Sequence, residues 1–429
     1  MDFAMMHPAD QIVTIMERLY KYGLTTTSGG NLSIKDSDGV VWISPAGIDK
    51  GTLRREDIMR INPDGSFEGR HKPSSEYPFH LATYAQRDDI HAVLHAHPPS
   101  LVAFSTARVI PNMKLLPHAK LVCGEIAMAP YALPGSKKLG DNIGEKFAEG
   151  YSTVMLENHG VVIGTDSLFH AFIMFETLDY CARLQINAST LGTPISLTDH
   201  QISIYQQKSH PVLDEFIVAN HSSEELEARR EMCALIKRAY DNELFTSGQG
   251  TFSKRLSDGS ILITPYSKDR KYLEPGDLVR IEGNKKEFGK LPSRSLVLHQ
   301  EIYRQHPDVD SVIIAHPPHI MAFAVTDEEF NARLIPESYI MLRDVKKVEF
   351  GASFLHPAEV ASMVSTHSPV LLVKNDCVVV AGTTLLNAFD RLEVLEYSAR
   401  SVIDVHKIAP IVPITDDEVK EIDVAFNLN

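Results

Sequence analysis

The feature that most constrains this chain is that it repeats itself. TTTSGGNLSIKDSDGVVWISPAG (25–47) matches FTSGQGTFSKRLSDGSILITPYS (245–267), and HAVLHAHPPSLVAFS (91–105) matches DSVIIAHPPHIMAFA (310–324). Ser28 to Ser247 and His97 to His316 are each 219 residues apart, and ENHGVVIG (157–164) meets KNDCVVVA (374–381) at an offset of 217. A steady spacing on this scale means two insertion-free copies of one fold joined in tandem. The length of 429 residues agrees, since one hydrophobic core rarely organises that much chain.

Each copy opens on an amphipathic helical pattern, ADQIVTIMERLYKYGL in the first and SSEELEARREMCALIKRAYDNEL in the second, with apolar residues recurring at three and four. A Gly/Ser/Thr turn follows. Short β-rich runs (VVWISP, DIMRIN, AVLHAHP, TVMLENHGVVIG) then alternate with helical stretches (SSEYPFHLATYAQ, SLFHAFIMFETLDYCARLQINAS), which predicts an α/β domain whose central sheet is covered by helices. ISLTDHQISIYQQKSH, ending at His210, lacks sustained periodicity and reads as a linker or extended arm. The expected domains are therefore 1–210 and 211–429.

Charge narrows the function. Against 42 basic residues stand 56 acidic ones, a net charge of -14, which disfavours nucleic acid because phosphate-backbone affinity needs clustered Lys and Arg. The start, MDFAMMHPADQ, has neither a basic leader nor an apolar core, and no apolar run approaches the roughly 20 residues that span a bilayer. A cytoplasmic protein with no membrane partner is expected. Cys123, Cys181, Cys233 and Cys377 show no CxxC spacing, so reduced and mostly buried thiols are expected rather than a disulfide framework or thiolate metal site.

His95-Ala-His97 ends an apolar run, and on a strand two residues apart both imidazoles project to one face. His159 ends another such run and is followed by Gly160, which permits a tight turn. Three histidines with a carboxylate, Glu76, make the ligand set of a catalytic divalent metal, zinc above all. Single histidines near strand ends are more often structural, but the second copy discriminates. There Glu76 aligns with Ser295, His95 with Ile314 and His159 with Asp376, and only His97 survives, as His316. Residues lost together point to a shared task.

KPSSE (72–76), HAH followed by Pro98, SGGNLS (28–33), ISPAG (43–47), PYALPGS (130–136) and NHG (158–160) together resemble the class II aldolase/adducin family, over nearly all of 8–190 and more weakly over 222–405. The resemblance implies a three-layer domain, a central and mostly antiparallel sheet flanked by helices, present twice. It implies His95, His97, His159 and Glu76 as ligands of one Zn2+ per chain, or of Mn2+, Co2+ or Fe2+ in its place. Glu76 would double as proton carrier; related epimerases are similar but carry aspartate there. Ser28, Gly30, Asn31, Gly47, Ser74 and Ser75 fall on positions resembling the phosphate-binding set, where backbone N–H groups and short polar side chains can donate to phosphate oxygens. The implied activity is a metal-dependent aldolase acting on a sugar phosphate or related acidic ketose through an enediolate. Decarboxylase, dehydratase or epimerase chemistry on the same intermediate, and a non-enzymatic interaction module like that of adducin, are the alternatives.

Two positions depart from the family pattern. Ala46 stands where a hydroxyl usually precedes the glycine, and Ala119 where a neighbouring subunit's tyrosine is expected to protonate the leaving aldehyde. Tyr339, in IPESYIM, lies one residue from the counterpart of Ala119. Because the family assembles as a fourfold ring, a tandem chain is expected to form a homodimer with pseudo-fourfold symmetry, or a higher homo-oligomer. In it the first copy supplies metal and Glu76, and the second supplies interface and Tyr339. The aligned pocket of the second copy is otherwise degraded, with Asn31 facing Gly250, Gly47 facing Lys268 and Ser75 facing Arg294.

Overall fold

The computed structural model describes residues 3–428 and divides into two compact units. The first runs to Met113 and resumes over His118–Arg183; the second takes Lys114–Pro117 and the chain from Leu184 onward. Among the described residues no helix is long and apolar enough to cross a membrane.

The first unit holds β1 (Asn31–Lys35), β2 (Val41–Ile43), β3 (Met59–Ile61), β4 (Phe67–Glu68), β5 (Ala92–Ala96), β6 (Ile126–Ala129), β7 (Thr153–Leu156) and β8 (Val161–Thr165), in the spatial order β4-β3-β2-β1-β5-β8-β7-β6. All neighbours are antiparallel except β6 with β7. β5 is buried along its whole length, as a strand covered on both faces must be. Val93, Val154, Leu156 and Val162, with Val41, Ile43, Met59 and Ile61, face one side and pack on Phe79, Tyr84, Leu139, Ile143 and Phe147 of the helices Tyr77–Gln86 and Lys137–Ala148. The helix Pro8–Lys21 contacts β1 and β2 and buries Ile12, Ile15, Met16 and Leu19 at the three-and-four spacing of an apolar stripe.

The second unit holds β9 (Asp214–Phe216), β10 (Thr251–Arg255), β11 (Ile261–Ile263), β12 (Val279–Glu282), β13 (Lys285–Glu287), β14 (Ser311–Ala315), β15 (Val345–Val348), β16 (Val370–Val373) and β17 (Cys377–Gly382). Its order, β15-β16-β17-β14-β10-β11-β12-β13-β9, is the order of the first sheet with β9 added at one edge. The expected duplication and α/β class are thus visible strand by strand: the parallel pair β15 with β16 mirrors β6 with β7, and the added β9 runs parallel to β13.

The hydrogen bonds correct the register of the repeat. Lys50 N donates to Thr27 O as Arg270 N donates to Ser247 O, and Ser33 pairs with Ile43 as Ser253 pairs with Ile263. From residue 26 to 61 the offset is therefore 220, not 219, so Ser28 faces Gly248, Asn31 faces Thr251 and Gly47 faces Ser267. The extra residue is absorbed in a hairpin: five residues join Ile61 to its partner Phe67, and four join Ile281 to Lys286. The copies are not free of insertions. A further difference lies before β9, where the segment read as unstructured contains the helix Asp199–Gln206, started by a reciprocal capping pair of Thr198 and Gln201. Two turns are too short to display a period.

Candidate metal centre

One helix and two strands build the site. Glu76 is the N-cap of Tyr77–Gln86, where the helix dipole favours a carboxylate, and His80 and Tyr84 follow at one-turn intervals on the same face. Opposite them β1 presents Asn31 and Ser33, two residues apart on one face, and Asn31 pairs with His95 on β5. The result is a buried chain of hydrogen bonds. Tyr84 Oη and Ser33 Oγ lie 2.7 Å apart, Ser33 Oγ and His80 Nδ1 2.7 Å, His80 Nε2 and Asn31 Oδ1 2.5 Å, and Asn31 Nδ2 donates to Glu76 Oε2 at 2.8 Å. An amide oxygen only accepts, so His80 Nε2 carries the proton and every donor points toward Glu76. Burial, then the charge of His95, holds His80 down to about 3, which keeps it neutral in this role.

The three histidines converge on the same carboxylate. His95 Nε2 is 3.3 Å from Glu76 Oε2, His159 Nε2 is 3.5 Å from Glu76 Oε1, and His97 Nε2 faces His95 Nε2 at 2.8 Å. One nitrogen from each imidazole can be chosen so that all lie within 4.8 Å of one another. His95 Nδ1 donates to Val161 O at 2.9 Å, which fixes the ring so that Nε2 faces the cluster. Glu76 Oε1 is buried and accepts no hydrogen bond. Burial alone would raise the Glu76 carboxyl, yet the charge of His95, hydrogen bonds from His95 and Asn31, and the charge of His159 hold it well below the usual carboxylate range. Burial and then His95 bring His97 down to about 3 and His159 to about 4. Neutral imidazoles at His97 and His159 beside an ionised carboxylate are states that bind a divalent cation, so the donor set fits one.

Local sequence explains how His159 arrives there. Asn158 adopts a left-handed φ of 53°, and His159 N donates to Ser105 Oγ at 2.9 Å, pinning the turn to the helix Pro99–Ala107. Gly160 is required by space: a Cβ there would sit 2.5 Å from His97 Cδ2 and 2.6 Å from Ala96 O.

The six residues read as phosphate-binding divide into three groups. Ser28 is exposed in the turn that ends at Gly30, whose φ is +70°; a Cβ there would meet His95 O at 2.8 Å. Gly47, at φ +69°, ends a loop zipped to Lys72–Ser74 through Ala46 N to Lys72 O and Ser74 N to Ser44 O, with Ser75 exposed next to it. Asn31 is buried and both ends of its amide are engaged by Glu76 and His80. Tyr339 is in the second unit, where its hydroxyl donates to Asp423 Oδ1 at 3.0 Å and Arg343 stacks on its ring. Ala119 is buried, and its counterpart in the matching helix is Ser338.

Two residues escaped the sequence reading. His80 is retained as His299 and sits four residues beyond Glu76, a helical spacing that signals a shared face. Lys50 joins the two glycine turns: its N–H bonds Thr27 O, and its ammonium bonds Pro45 O at 2.5 Å. Burial pushes it down to about 8. Arg270 occupies the same place in the second unit, bonding Gly250 O at 2.9 Å.

The sequence profile of the Class II Aldolase and Adducin N-terminal domain matches residues 10–186 and again 230–403. The chain belongs to this family. It is 32% identical over 202 residues to a 5-deoxy-D-ribulose 1-phosphate aldolase of Bacillus thuringiensis serovar kurstaki, covering 46% of this chain and 93% of that one. It is 31% identical over 177 residues to a 3-oxo-tetronate 4-phosphate decarboxylase of Haemophilus influenzae, covering 40% and 84%. A solved L-fuculose 1-phosphate aldolase is similar at 33% identity, with a TM-score of 0.43, over 47% of this chain and 95% of that one. These similar proteins are lyases, and the family's enzymes are divalent-metal dependent.

Proposed function

We propose that this protein is a metal-dependent lyase of the aldolase type, cleaving or forming a carbon–carbon bond of a sugar phosphate or related acidic ketose. The observation that carries this reading is the convergence of His95, His97 and His159 on an ionised, buried Glu76 in one half of the chain only. Those four residues would hold Zn2+, or Mn2+, Co2+ or Fe2+. When bound, the cation would supply Lewis acidity at the ketose carbonyl and hydroxyl oxygens and so stabilise the enediolate left by the broken bond.

The chain's own residues do the rest. Glu76 Oε1, which accepts no hydrogen bond, is free to take the proton from the enediolate carbon or return it. Asn31 Nδ2 holds the other oxygen, and the His80–Ser33–Tyr84 chain fixes Asn31. The turns at Ser28–Gly30 and Gly47, with Ser74 and Ser75, would receive the phosphate, and Lys50 would keep both turns in register. We take residues 1–210 as the catalytic domain and 211–429 as a structural and interface domain, in a homodimer of pseudo-fourfold symmetry. There Tyr339, released from Asp423, would exchange the proton of the aldehyde-forming hydroxyl across the interface, taking it in cleavage and returning it in condensation.

Decarboxylation is the second reading. It is favoured by Ala119, which removes the first copy's own tyrosine, by Ala46, and by the similarity to tetronate-phosphate decarboxylases. The dividing experiment assays aldehyde release against carbon dioxide release, because decarboxylating a 3-oxo-tetronate 4-phosphate also leaves dihydroxyacetone phosphate, with Glu76→Ala as the control that silences both. Carbon dioxide without an aldehyde product would sink the aldolase reading. Full turnover by Tyr339→Phe would remove Tyr339 from it.

A further inference from the structure

The second half has a cavity of its own. About 360 Å3 is enclosed by the segment Ile204–Pro211, by Arg294–Leu298 at the start of the helix Leu296–Gln305, and by Ser353–Pro357. It opens at the place where the first half carries Ser75 and Glu76, for Arg294 and Ser295 are their counterparts. The charge there has reversed. An acid has become a serine, a serine has become an arginine, and Lys208 has been brought in from the segment before β9.

The two cations are built in. Arg294 lies between the rings of Tyr205 and Tyr266, at 5.6 and 5.4 Å from their centroids, and donates to Lys208 O at 3.2 Å. Lys208 sits over Tyr205 and Phe354, at 5.6 and 5.1 Å. Neither has a carboxylate within ion-pair distance among the described residues. Asp376, the counterpart of His159, is buried and accepts instead from Ser353 Oγ at 2.7 Å. Burial and then the charge of Lys208 bring both His299 and His316 down to about 3, so the ammonium bears on the vestige of the old metal pocket. Aromatic faces hold two cations without neutralising them, and the start of a ten-residue helix adds partial positive charge.

We propose that this pocket of the second half, framed by Arg294 and Lys208, binds the phosphate group of a small phosphorylated molecule, so that the duplicated domain has exchanged a cation site for an anion site. A guanidinium offers the forked donors that match phosphate oxygens, and an ammonium beside it supplies the second charge. The proposal rests on the second structural unit alone, which includes the chain from Leu184 onward, and stands whichever reaction the first half performs.

The test is calorimetric titration of inorganic phosphate, to about 10 mM, into the full-length protein after chelation of divalent metal, which keeps the metal centre out of the measurement. Arg294→Gln and Lys208→Gln should each weaken one phosphate-binding event by at least about tenfold. Lys208 is half exposed on a surface segment, so its substitution guards against a folding defect in the arginine variant. Phosphate heats that are absent in the parent protein, or unchanged in both variants, would overturn the proposal.

Discussion

The two halves share eight strands in one order, a helix carrying a residue triplet at four-residue spacing, and a strand facing it, yet among the described residues only the first half gathers three histidines that could hold a metal. In the first, the triplet is Glu76, His80 and Tyr84, opposite Asn31 and Ser33. In the second it is Ser295, His299 and Tyr303, opposite Thr251 and Ser253. The inner end is the same in both: Ser253 Oγ meets His299 Nδ1 and Tyr303 Oη at 2.7 Å, as Ser33 Oγ meets His80 and Tyr84. The outer end differs. Thr251 is too short to reach His299, whose Nε2 is left without a partner, and bonds Ser293 Oγ, which in turn bonds Ser295. The Ser–His–Tyr set therefore belongs to the scaffold, and the Asn–Glu pair at its end is what turns scaffold into site.

The sharpest way to break this comparison is to disable each half in turn. His95→Ala or Glu76→Ala should lower turnover by a factor on the order of 10³, whereas Ser295→Ala or Asp376→Ala should leave it within about twofold. A comparable loss from the second pair would erase the distinction. Next in size is Gly160, whose counterpart is Cys377, a residue that carries a Cβ. Gly160→Ala should displace His97 and weaken metal affinity on the order of 10-fold to 100-fold, read by competition with a chelator. Asn31→Ala should cost about the same through loss of the Glu76 anchor, while Thr251→Ala should leave metal binding unchanged.

Stability differences are smaller. His80→Leu strands the Asn31 oxygen in the interior and should cost about 2–3 kcal/mol in denaturant unfolding; His299→Leu removes a ring that already has an unpartnered nitrogen and should cost about 1 kcal/mol less. At neutral pH acid sensitivity contributes no slope, and it shows only on acidification. His299 titrates near 3 when folded against about 6.5 when unfolded, so the unfolded state binds the extra proton below that upper value. Its contribution is intact at neutral pH and drains away at up to about 1.4 kcal/mol per pH unit as pH falls from about 6.5 toward 3. His299→Leu should flatten the stability curve over that window, and an unchanged slope would refute the assignment.

Much of this was legible in the residues. The repeat foretold two sheets, the His-x-His spacing placed two imidazoles together at the end of β5, and the loss of Glu76, His95 and His159 from the second copy marked them as a group. The one-residue register error had a physical origin: a hairpin turn can gain a residue without disturbing the strands it joins, and Ser/Gly-rich turns align almost equally well at either offset. His80 and Lys50 were missed because their importance lies in partners, Asn31 and Pro45, that only the fold brings within reach. The helix Asp199–Gln206 announced itself through Thr198 and Gln201 rather than through periodicity.

The central claim is that one half binds a divalent ion and the other does not, and elemental analysis of the purified full-length protein tests it directly. The account predicts about one zinc, manganese, cobalt or iron per chain, lost in His95→Ala and retained in His316→Ala. No bound metal, two ions per chain, or metal that disappears with His316 instead of His95 would contradict it.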